Sequence, residues 1–143
     1  MKKRGIVLVL ALIFGLSFTS CNNDDDDSDS IGSVVGKWNQ LSRKFSANGA
    51  TVFDQPYDGH QAGCAKDYIE FFENGTISSG DYKASCVLET SSSSYTRSGN
   101  TLVIDNGEET YEIITANSST MILRGTETIG EVTGTIELSF TKA

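Results

Sequence analysis

The side chains able to carry chemistry are few. His60 is the only histidine. It lies in the stretch Phe53-Asp54-Gln55-Pro56-Tyr57-Asp58-Gly59-His60-Gln61, where Asp54, Asp58 and His60 offer oxygen and nitrogen donors to a cation. Phe53 and Tyr57 in the same stretch offer apolar surface, either to cover a ligand or to anchor the segment by packing. Packing is the simpler reading, a ligand cover comes second, and no metal is assigned. Tyr95 and Arg97 share one face of a strand-like run. Turned inward they would orient an anionic or polar ligand, and turned outward they are surface residues. No serine stands in a G-x-S-x-G turn, no H-E-x-x-H occurs, and no glycine-rich phosphate loop is present. An enzyme is therefore the least favoured class, and no cofactor is implied.

The three cysteines divide into one plus two. Cys21 follows a basic start, Met1-Lys2-Lys3-Arg4, and an apolar run from Gly5 to Phe18. Such a run is shorter than the ~20 residues that span a bilayer. Phe18-Thr19-Ser20-Cys21 resembles a bacterial lipobox, with Phe18 where leucine is usual. That resemblance implies a signal peptide over residues 1–20, cleavage before Cys21, and an acyl anchor on Cys21 that holds the protein to a membrane. Residues 21–30 continue as Asn22-Asn23-Asp24-Asp25-Asp26-Asp27-Ser28-Asp29-Ser30, an acidic tether without apolar residues. An acidic run after a lipidated cysteine also resembles the surface-export signal of lipoproteins in the Bacteroidetes group. It implies an outer-membrane lipoprotein of the cell envelope, with display at the surface as one of its two orientations.

Cys64 and Cys86 remain. Two cysteines in an exported domain most simply form one disulfide. They flank a hairpin signal at Asn74-Gly75, which places them near each other, and closing that loop stabilises by about 3 kcal/mol. A redox pair lacks the C-x-x-C spacing, and a metal site lacks partners.

The formal net charge is −8. Loss of residues 1–20 removes Lys2, Lys3 and Arg4 and no acid, which brings it to −11. Phosphate backbones repel such a chain, so nucleic acid is not a partner.

These residues must be positioned by strands. Runs at about 37–46, 67–73, 76–83, 93–98, 101–105, 109–115, 119–124 and 131–141 have strand character, and no helical period separates them. Asn74-Gly75, Gly99-Asn100, Asn106-Gly107 and Asn117-Ser118 mark turns. Residues 47–66 read as one long loop. Alternation turns Leu102, Ile104, Tyr111, Ile113, Met121, Leu123, Ile136, Leu138 and Phe140 to one apolar face. Ile69 and Phe71 are assigned inward, with Tyr68 and Phe72 covering the outside. Glu108, Glu109 and Glu112 read as part of the wet outer face. One dry and one wet face suit an all-β fold, an eight-stranded antiparallel up-and-down barrel over residues 31–143.

Gly36-Lys37-Trp38 opens the first strand with the only tryptophan. Together with Ile69-x-Phe71-x-x-Asn74-Gly75-Thr76, Tyr95-x-Arg97-x-Gly99-Asn100-x-Leu102-x-Ile104 and Tyr111-x-Ile113 leading to Met121-x-Leu123, it resembles the lipocalin-like domains of bacterial lipoproteins. The resemblance implies that Gly36 and Trp38 close the barrel base under a late cation, with Arg124 or Lys142 in that role. It also implies a paired cysteine at Cys64 and Cys86, and a lid formed by the long loop. Finally, it implies a calyx for a small, partly apolar ligand, with Phe53, Tyr57, Phe71, Tyr95, Arg97 and Tyr111 as candidate binding residues. The rival reading is a structural or accessory surface protein whose barrel is filled by its own side chains and which acts through protein contacts.

Overall fold

The computed structural model describes residues 31–143. The expected signal peptide, acyl anchor on Cys21 and acidic tether fall outside the described residues. Within them the chain forms nine strands: β1 (Gly36–Ala47), β2 (Ala50–Pro56), β3 (Tyr68–Phe71), β4 (Thr76–Tyr82), β5 (Leu88–Ser98), β6 (Thr101–Ile104), β7 (Glu109–Ala116), β8 (Thr120–Ile129) and β9 (Val132–Lys142). Every strand pairing is antiparallel, and β9 returns to β1 along Trp38–Ser46. That last pairing closes the sheet and removes the edges an open meander would expose.

The ninth strand hangs on the barrel. β1 gives one edge to β9 and divides the other: Gly36–Asn39 pair with β3, and Ser42–Ala47 pair with β2. Eight strands form the closed barrel and β2 is a flap beside them. Residues 47–66 are thus not one loop. Asn48 and Gly49 both take positive φ, +53° and +78°, as a two-residue hairpin turn requires. This Asn-Gly pair is the same signal as Asn74-Gly75, and it makes a strand of Ala50–Pro56. Two further strands are longer than their patterning indicates. β5 begins at Leu88 because the run Ser91–Ser94 pairs with β4, and β8 continues to Ile129 because β9 pairs with it throughout.

Apolar side chains gather at one end. Trp38 is fully buried among Val34, Phe71, Leu102, Ile113 and Met121. Its indole N–H donates to the Val34 carbonyl at 2.7 Å, so the buried polar tip is satisfied. Ile69 and Phe71 face this core, as the alternation indicates. Tyr68 points outward yet is buried, beneath the Lys37 ammonium at 3.6 Å from the ring centroid. A Cβ at Gly80 would overlap the Tyr68 ring, so only glycine fits there. A second, smaller cluster of Phe45, Ala47 and Ile136 occupies the other end of β1, with Phe53 stacked on Phe45 at 5.8 Å.

Candidate ligand cavity

β6 is four residues long, and its turn into β7 at Asp105–Gly107 comes early. β5 therefore pairs with β6 only over Tyr95–Ser98, while Leu88–Ser94 pair with β4 alone. The barrel wall is notched at this place. Inside the notch lies a cavity of about 330 Å³. Its apolar wall comes from Ile69, Ile77, Ile104, Leu123, Leu138 and Phe140, all inward by the two-residue alternation. Its polar lip comes from Ser79, Ser91, Ser93, Asp105, Glu109 and Tyr111, with Gln40 and Ser92 completing the lining.

The lip is ordered by its own hydrogen bonds. Ser79 and Ser91 hydroxyls meet at 2.7 Å. The Ser93 hydroxyl donates to Asp105 Oδ1 at 2.9 Å, and the Tyr111 hydroxyl donates to Glu109 Oε2 at 2.9 Å. Burial, followed by the bond to Glu109, pushes the Tyr111 phenol well above its ordinary pKa, so it stays a donor at neutral pH. Glu109 stands in register with Ile104 on the inner face, not on the outer one. Its period with Tyr111 and Ile113 carries that signal, against the general preference of a carboxylate for the wet face. Asp105 carries no signal of its own in the sequence, because it follows the last inward residue of β6 and takes a positive φ of +52°.

The candidate residues separate by position. Tyr111 lines the cavity. Phe71 belongs to the base cluster, where it meets Tyr95 edge-on at 5.0 Å. The Tyr95 hydroxyl donates to the Phe72 carbonyl at 2.7 Å. Burial first, and Glu73 second, raise its pKa. Arg97 is no ligand anchor: its guanidinium donates to the carbonyls of Gly32 at 2.6 Å, Ile31 at 3.4 Å and Gly99 at 2.9 Å. It fastens residues 31–32 across the barrel base. Phe53 packs on Phe45, and none of residues 47–67 lines the cavity, so the long connection is not a lid over it.

The plug also changes hands. Arg124 points to solvent and pairs with Glu137 at 3.0 Å and Glu112 at 3.7 Å. Lys142 covers Trp38 instead, with its ammonium 4.1 Å from the ring centroid and a hydrogen bond to the Val35 carbonyl at 3.0 Å. The register explains this, because Lys142 stands opposite Trp38 whereas Arg124 stands opposite Glu137.

The connection from Tyr57 to Asp67 is a clasp beside the cavity. Asp67 is 2% exposed. Its Oδ1 accepts the Tyr82 backbone N–H at 2.7 Å, and its Oδ2 accepts the Tyr57 hydroxyl at 3.1 Å. The Asp67 backbone N–H donates to His60 Nδ1 at 3.0 Å. Nδ1 is therefore the acceptor, and Nε2–H donates to the Gln40 carbonyl at 2.9 Å. With both ring nitrogens engaged, His60 does not join Asp54 and Asp58 in a cation site. Among the described residues no group of three His, Cys, Asp or Glu side chains could hold a metal. Burial, then the bond to Asp67, pushes the Tyr57 phenol up to about 12. Cys64 and Cys86 are joined in a disulfide with Cα atoms 5.3 Å apart, which ties the clasp to the turn between β4 and β5. Asp67, the centre of this network, carried no periodic signal.

A profile described as a lipocalin-like domain matches residues 34–123. No curated protein sequence matches the chain. Among solved structures, a lipocalin-like protein from Bacteroides uniformis is similar with a TM-score of 0.55 and 17% identity, over 78% of this chain and 100% of that one. An uncharacterized protein from Bacteroides eggerthii is similar with a TM-score of 0.54 and 15% identity, over the same shares. At these identities the likeness extends to the fold.

Proposed function

The chain belongs to the lipocalin-like domain family, and on that premise we propose that it is a lipid-anchored lipoprotein of the cell envelope whose barrel binds or carries a small, partly apolar ligand. The hollow interior carries this reading. A cavity of about 330 Å³ with an apolar wall and a polar lip has the construction of a small-molecule site, at the small end of the usual range. A filled barrel would leave no such space at ordinary packing density. The lip hydroxyls and carboxyls are arranged to hold a ligand's polar end. No reaction is assigned to them, and a binding protein is the reading they support.

Protein isolated from its native membrane should yield a bound small molecule on organic extraction and mass spectrometry. The cavity-filling variant Ile104→Trp, checked for an intact melting transition, should lose it. An extract of wild type no richer than that of the filled variant would return the barrel to a structural or accessory role. The anchor is tested separately. Cys21→Ala should move the protein out of the membrane fraction, and continued membrane association refutes acylation at that residue.

A further inference from the structure

The cavity has an uneven charge. Its lining contains two carboxyl groups, Asp105 and Glu109, and neither a lysine nor an arginine. Each carboxyl has one oxygen held by a neighbouring hydroxyl, from Ser93 and Tyr111 respectively. Among the described residues the second oxygen of each accepts no hydrogen bond from another side chain, and both residues are exposed at the lip. The cations of the surrounding strands are already engaged. Arg43 pairs with Glu127 at 3.2 Å, and Lys83 lies between Asp81 at 4.0 Å and Glu89 at 3.8 Å. Arg97, the one basic candidate for the site, is at the base. Beneath the lip the wall is aliphatic and aromatic.

We infer that the cavity selects a small organic cation, an ammonium group on an apolar body, with Asp105 and Glu109 receiving the ammonium and the apolar wall receiving the body. This rests on the reading of the barrel as a ligand carrier and adds the charge of the ligand. Two carboxylates at the lip of an apolar cavity attract an ammonium and repel a carboxylate of the same size. The same body with a carboxylate head meets two like charges and no countercharge, so a fatty-acid-type anion is disfavoured.

Three probes with one body test this: octylammonium, 1-octanol and octanoate, each titrated calorimetrically into the full chain at low ionic strength. Octylammonium should bind at least about tenfold tighter than 1-octanol, and octanoate should bind most weakly. Added salt should narrow the gap. The double variant Asp105→Asn, Glu109→Gln keeps the acceptors for Ser93 and Tyr111, and asparagine suits the positive φ at position 105. It should lose the preference for octylammonium over 1-octanol. If 1-octanol and octanoate bind as tightly as octylammonium, the carrier reading stands and the charge selection is overturned. A preference that survives in the double variant also overturns it. If none of the three binds, the carrier reading falls and this inference falls with it.

Discussion

Replacing Asp67 with alanine removes the acceptor of two hydrogen bonds at once. The Tyr82 N–H loses a partner at 2.7 Å and the Tyr57 hydroxyl one at 3.1 Å. A donor left without a partner costs about 1–3 kcal/mol, toward the low end where water reaches it. Tyr57 and Tyr82 are both half-buried, so the two together should cost about 2–4 kcal/mol. For a domain of this size that corresponds to a melting temperature lower by roughly 8–16 °C. Asp67→Asn keeps an oxygen for Tyr82 and presents an N–H₂ to the Tyr57 oxygen, so it should cost only about 1 kcal/mol. Tyr57→Phe should cost a similar amount. Urea denaturation followed through Trp38, the sole tryptophan, measures all three. A double-mutant cycle on Asp67→Ala and Tyr57→Phe should give a coupling of about 1 kcal/mol, since they share one bond. A cost below about 1 kcal/mol for Asp67→Ala, or strict additivity in the cycle, would refute the account of the clasp.

Two further outcomes follow from the geometry. Tyr57 has its pKa raised from 10.0 to about 12, and Tyr95 and Tyr111 are raised as well. A folded-state pKa above the unfolded value gives stability that is complete below pH 10 and lost as pH rises from 10 toward 12. Absorbance titration should leave at least three of the five tyrosines protonated above pH 10 until the fold gives way, and one common transition near pH 10 in folded protein would refute this. At the base, Lys142→Met should cost about 1 kcal/mol and shift Trp38 emission, whereas Arg124→Met should cost less and leave the emission unchanged. The opposite ranking would return Arg124 to the plug.

Much of the barrel is legible in residue order because its signals are local. Alternation at Leu102-x-Ile104 and Met121-x-Leu123 gives the buried face, and Asn-Gly pairs give the hairpins. The turn into β2 is as legible as the rest, since Asn48-Gly49 announces it. The strand itself is hidden by the weak apolar content of Ala50–Pro56, six of whose seven residues are exposed.

The cavity residues were less legible. Period two tells which face a side chain takes, but not its height along the barrel axis. Tyr95 and Arg97 share a face of β5 that alternation leaves open to either side, and Glu109 and Tyr111 share a face of β7. Whether they stand at the base or the lip depends on the stagger of the closed sheet, which is a property of all eight barrel strands together.

The sequence by itself determined the eight barrel strands, the inward apolar rows, the single tryptophan at the start of β1 and the cysteines that join. Each follows from residue type and near-neighbour spacing. The tertiary structure alone decided that the interior is hollow, that Lys142 rather than Arg124 covers Trp38, that Arg97 fastens the base, and that Asp67 and His60 form a clasp. These depend on which residues face one another across the barrel closure. Lys142 stands opposite Trp38 although more than a hundred residues separate them in the chain.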